Sequence, residues 1–322
     1  MDQIRDFMRN RITGLSNNKP GLLKAVKDSL REVKVTWREF VEYLDSVELY
    51  RKQRVHLYQA LDGSQEAWSA EALKAAIERS NMAHVWNANV SIAAPDELEP
   101  SSITMTDQRL EVMVIGRRTY RRRVRELEDK VDTPRDGLEV QLYERVNVRA
   151  WVRLELDLKT GALTIRASRL PTTGLQEELR NDSVDLLDWF PEDRFAPVNL
   201  AKAIATLHKT EGDTPHEARV QAVGYGSPTG LKSAVRSSAG HQGVTGHGQD
   251  VDDAVATLRE SGYGEEGNFF FLPPNSGGPP GTNLESEVRV VVYADTGEVD
   301  FPRPMKPKEL EHVLRRIRVL AT

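Results

Sequence analysis

The chain contains no cysteine. That absence removes disulfides, thiolate metal sites and cysteine nucleophiles together, and it fits a reducing compartment. No apolar stretch approaches the roughly 20 residues needed to cross a bilayer. The opening residues, Met1-Asp2-Gln3-Ile4-Arg5-Asp6, lack the basic-then-apolar plan of an export signal. The expectation is a cytoplasmic protein with no membrane partner. A basic excess is missing too: net charge is -5 and the isoelectric point about 5.9. Any grip on nucleic acid must therefore come from local segregation of charge. At 322 residues the chain has core enough to fold without covalent staples.

What the sequence does have is a knot of arginine. Residues 117–125 contain Arg117, Arg118, Arg121, Arg122, Arg123 and Arg125, with Tyr120 interleaved. The knot follows the apolar run at 110–116 and precedes the acidic Glu126, Glu128 and Asp129.

The first 80 residues read as helical. Ile4, Met8 and Ile12 share a face, Leu22, Leu23, Val26, Leu30 and Val33 repeat at three and four, and Phe40, Leu44 and Val47 do so again. Pro20 suits a first helical turn, Thr36-Trp37-Arg38-Glu39 reads as a capping box, and Gly63 suits a helix end. Tyr50, Leu57, Tyr58 and Leu61 continue the pattern, as do Trp68, Leu73 and Ile77. The expectation is a helical bundle over residues 1–82, suited to contacts with a protein partner. A helix-turn-helix reading of residues 22–44 lacks the small residue usual in the turn. The Pro- and acid-rich residues 94–102 read as a connection, and residues 84–92 as a strand preceding it.

Residues 83–322 read as an α+β domain with antiparallel hairpins. From Val146 to Asp157 every even position up to Leu156 is apolar, which places Asn147, Arg149, Trp151, Arg153 and Glu155 on the opposite face. Lys159-Thr160-Gly161 turns the chain, and Leu163, Ile165 and Ala167 return on the inner face. An acidic helical stretch at 177–193, a helix at 199–208, a strand at 218–223, a helix at 251–260 and a strand at 268–272 follow. A second hairpin turns at Asp295-Thr296-Gly297 and leads to a basic helix at 308–318. The fold class is thus α+β: an N-terminal helical bundle, then a mainly antiparallel sheet with flanking helices.

Guanidinium forks match phosphate oxygens, so the knot is suited to DNA or RNA backbone. Arg149, Trp151 and Arg153, with Arg166 on the partner strand, extend the surface and offer an aromatic for stacking. The rival is an adaptor subunit of a larger bacterial-type assembly, whose knot meets an acidic protein surface. Catalytic signals are weaker. In Gly224-Tyr225-Gly226-Ser227-Pro228-Thr229-Gly230-Leu231-Lys232-Ser233, Leu231 separates the last glycine from the lysine, which breaks the phosphate-loop spacing. Asp136, with Glu155 or Asp157 and Lys159, imitates a nuclease carboxylate set, and His241, His247 and Asp250 lie in one Gly-rich loop without a third strong ligand. Ser237 and Ser238 beside His241 lack a nucleophile elbow. The first expectation is therefore a non-enzymatic nucleic-acid-binding protein needing no cofactor, the second an adaptor, and the third a metal-dependent nuclease.

Overall fold

The computed structural model describes residues 7–8, 11, 15, 18–36, 39–40, 43, 47–87, 95–128, 140–212, 216–227, 229–237, 243–244 and 249–322. The N-terminal part comprises α1 (Lys19–Arg31), β1 (Gln53–Ala60), α2 (Gln65–Trp68) and α3 (Ala70–Arg79). Next come β2 (Glu99–Met105), β3 (Arg109–Arg123), α4 (Arg125–Glu128), β4 (Tyr143–Asp157), β5 (Ala162–Ser168) and α5 (Thr173–Asp185). The remainder is β6 (Phe195–Pro197), α6 (Ala201–Lys209), β7 (Ala218–Gly226), β8 (Lys232–Arg236), α7 (Gln249–Ser261), β9 (Tyr263–Phe271), β10 (Val288–Tyr293), β11 (Glu298–Phe301) and α8 (Pro307–Ala321).

All eleven strands join one antiparallel sheet in the order β2-β3-β4-β5-β1-β11-β10-β9-β7-β8, with β6 also pairing β1. β1 is the middle. One edge meets β5, from Gln53 opposite Ser168 to Gln59 opposite Ala162. Its other edge is divided between β11, where Gln53 faces Phe301, and β6, where Ala60 faces Phe195.

The described residues do not bear out the expected N-terminal bundle, because Gln53–Ala60 is a strand where a helix was expected. Leu57 and Tyr58 fit a helical spacing, yet Val55, His56, Leu57 and Tyr58 are buried in succession. A strand covered on both faces has no polar side to show in its pattern, so its apolar run mimics a helix. The expected boundary at 82/83 falls between residues of one core, since Leu73, Ile77 and Met82 pack with Val85, Ile103 and Leu110. The stretch read as a connection contains the start of β2. Of the strand expected at 84–92, residues 88–92 lie outside the described residues, and Ala83–Val85 is a single 3-10 turn. The capping box is present: Thr36 N donates to Glu39 Oε2 at 2.8 Å, and Glu39 N to Thr36 Oγ1 at 3.2 Å.

Alternation along β1 divides the interior in two. Val55 and Leu57 pack with α6 and α8 through Ile204, Leu207, Val313 and Ile317. Tyr58, pointing the other way, packs with α3 and α5 through Leu73, Ile77, Leu179 and Val184. The helices belonging to the two halves of the sheet therefore cover opposite faces. Both halves use the same device to reach β1. The β4–β5 turn holds Gly161 at φ +67 and the β10–β11 turn holds Gly297 at φ +63, so β5 and β11 arrive in the same direction on either edge.

Candidate functional site

The arginine knot is the outer half of β3. Residues 117–123 pair with residues 149–143 of β4, from Arg117 opposite Arg149 to Arg123 opposite Tyr143. β2 leaves β3 at Ile115, and β5 pairs β4 only as far as Val152. From Gly116 onward the two long strands thus continue past their neighbours as a two-stranded ribbon. Gly116 stands at its root, where a Cβ would lie 2.8 Å from Glu97 O.

The pleat sorts the ribbon's side chains. Arg117, Thr119, Arg121 and Arg123 share a face with Tyr143, Arg145, Asn147 and Arg149, while Arg118, Tyr120 and Arg122 share the other with Glu144, Val146 and Val148. Sequence reasoning alone misses Arg145. It is legible only once the alternation of β4 is extended outward, because Arg145, Arg149 and Arg153 recur at every fourth residue of one strand face.

Most of these arginines have acidic partners. Arg117 meets Asp96, Arg122 meets Glu144 and Arg149 meets Glu48. Arg118 reaches Asp182 of α5 at 2.5 Å, an ion pair between the knot and the acidic helix. Arg123 holds Glu128 through Nε at 2.8 Å and a terminal nitrogen at 2.9 Å, and Glu128 also accepts from Leu142 N. Those bonds keep the Glu128 carboxyl below the usual range, with the Arg123 hydrogen bond the largest cause. Arg125 lies exposed in α4 and adds a smaller favourable field there.

One pair differs. Arg121 and Arg145 stand directly opposite each other, both exposed, and neither has an ion pair among the described residues. Like charges across a ladder are destabilising, at Cβ separations of roughly 4.5–5.5 Å. The other facing arginines, Arg117 with Arg149 and Arg153 with Arg166, are each relieved by carboxylates or buried acceptors.

The inner residues of the expected surface are placed differently. Trp151 is 2% exposed and Arg166 3%, so neither presents a face for stacking or phosphate contact. Segment 48–50 lies against Arg166, which donates to Leu49 O and to Gln53 Oε1 and holds its guanidinium 5.1 Å from the Tyr50 ring. Arg153 is held between Glu111 at 2.8 Å and Glu155 at 3.0 Å. Arg166, Trp151 and Arg153 thus fasten the sheet, and within the expected surface the accessible arginines are those of the ribbon.

The weaker motifs resolve into turns where they are described. Asp157 Oδ1 accepts from Lys159 N at 2.8 Å and Thr160 N at 3.0 Å, a hairpin device. Glu155 is occupied by Arg153 and Arg109. Gly224 and Gly226 lie within β7, and Lys232 opens β8 with its ammonium 2.9 Å from Glu265. Asp136, Ser238, His241 and His247 lie outside the described residues. No helix is long and apolar enough to cross a membrane among those described. The sequence matches no family model and no curated protein.

Proposed function

We propose that this protein binds the phosphate backbone of DNA or RNA through the β3–β4 ribbon, without catalysing a reaction on it. The observation that carries the reading is the Arg121–Arg145 pair, an exposed like-charge rung that lacks the carboxylate found beside the other facing arginines. An anionic oxygen between two guanidinium forks relieves the repulsion and gains charge-assisted hydrogen bonds. A two-stranded ribbon also matches the width of a duplex major groove. Arg117, Arg118, Arg122, Arg123, Arg125 and Arg149 flank the rung and contribute a surrounding field, reduced by their own acids. Tyr120, half-buried on the other face, supplies one aromatic edge.

The test is a titration of labelled duplex and single-stranded oligonucleotides against salt. Binding at low salt with a steep salt dependence is expected, and an Arg121→Glu, Arg145→Glu variant should bind more weakly. Losing two phosphate contacts lowers the salt slope by roughly 1.4 to 1.8. Absence of binding by the unaltered protein at low salt rejects the reading.

An adaptor role is supported by a separate observation: the ribbon already engages carboxylates of its own chain at Asp96 and Asp182. An acidic protein surface would satisfy the same forks. Nuclease-treated pull-down separates the two, because a partner retained by the parent and lost in the double variant favours docking to protein.

A further inference from the structure

A cleft of about 780 Å³ opens at the root of the ribbon, where β5 ends and β4 runs on. Among the described residues its walls carry five cations, Arg51, Lys52, Arg54, Arg149 and Arg169, against one carboxylate, Glu48. Two more acids reach those cations from outside the lining. Glu298 lies 2.9 Å from Arg54, and Asp300 lies 3.0 Å from Arg169. Glu298, Glu48 and Asp300 thus partner Arg54, Arg149 and Arg169, while Lys52 has no ion pair among the described residues.

The backbone adds to this charge. Thr172 and Thr173 line the cleft at the start of α5, a helix of 13 residues with no acid in its first turn. Thr172 Oγ1 accepts from Leu175 N at 3.3 Å, and the first bond of the helix runs from Gln176 N to Thr172 O. The amides of Thr173 and Gly174 precede it and belong to the unsatisfied first turn, the positive end of the helix. A space of this size suits a small ligand. Its walls are too cationic for an apolar one.

We propose that the cleft binds a phosphomonoester, held by Lys52 and Arg169 with the start of α5. The phosphate can come from two sources. One is the terminal phosphate of a strand lying along the ribbon, which rests on the nucleic-acid reading above; the other is a free phosphorylated small molecule, which does not.

Two measurements on the full chain decide it, each with Lys52→Glu as comparison, since that side chain is exposed. The first compares oligonucleotides that differ only in a 5′-phosphate or 5′-hydroxyl. The second follows the thermal midpoint with inorganic phosphate or a nucleoside 5′-monophosphate, at ionic strength matched with potassium chloride. A preference of about fivefold or more for the 5′-phosphate, lost in Lys52→Glu but retained in Arg121→Glu, Arg145→Glu, assigns the cleft to strand ends. If the termini bind alike, or the protein binds no oligonucleotide, a midpoint raised by the monophosphate in the parent but not in Lys52→Glu assigns it to a free ligand. No preference between termini together with no phosphate-dependent midpoint overturns the proposal. Arg169→Gln, read in the same two ways, supplies an independent second variant.

Discussion

Two kinds of residue carry the local consequences. Gly161 and Gly297 hold positive φ inside crowded turns, where a Cβ would come within 2.6 Å of Ala60 Cβ or 2.5 Å of Leu57 O. Gly63 has φ +74 but nothing within 4 Å. Gly63→Ala should therefore cost only the backbone term, roughly 1–2 kcal/mol, while Gly161→Ala and Gly297→Ala add a clash and cost more; denaturant unfolding of the three variants checks the order. Buried histidines set a pH response. Burial, then Arg180 and Arg54, pulls His56 down to about 3, and burial, then Arg259, pulls His208 down to about 4. Both stay neutral in the folded chain while the unfolded chain takes up protons below its ordinary pKa of about 6.5. Stability contributed by each is intact above that value and falls as pH drops from 6.5 toward about 3 for His56 and about 4 for His208. The slope is at most about 1.4 kcal/mol per pH unit per histidine. Glu298 and Asp300, raised by burial, act in the opposite sense. Unfolding titrations of His56→Gln and His208→Gln should show a shallower acid loss than the parent; an unchanged slope rejects the assignment.

At the scale of elements, the ribbon sets function against stability. Arg145→Glu replaces a like-charge rung with an attractive one, so the folded chain should gain about 0.2–1 kcal/mol while affinity for nucleic acid falls. Chemical denaturation and an oligonucleotide titration read the two effects, and a variant that loses both stability and binding would show that the rung is structural. β4 was legible in the sequence because one of its faces is core and the other polar, which leaves a period of two. β1 was hidden because both of its faces are buried, from Val55 through Tyr58. The exposure of the knot was only half legible. Its charge is written in nine consecutive residues, but Asp96 and Asp182, which neutralise part of it, come from distant positions. Nothing in the local pattern of Arg166 foretells that segment 48–50 lies against it.

Across the whole molecule, two cores lie on opposite faces of a single sheet and meet at one strand. A chain starting at residue 83 would lack β1 and leave β5 and β11 facing each other with no ladder between them. Such a truncation is expected to show no cooperative thermal unfolding and to associate through its open edges; a monomer with a sharp transition would establish residues 83–322 as an independent domain. The central position of β1 also fixes an order of events during synthesis. β1 and β5 leave the ribosome well before residues 298–301, so one edge of the middle strand waits unpaired while the rest of the sheet is made. Pairing Gln53 with Phe301 then closes most of the chain into one loop, the slow kind of contact in folding. A pause late in translation would hold the nascent protein in its most aggregation-prone form, with its future centre exposed as an edge.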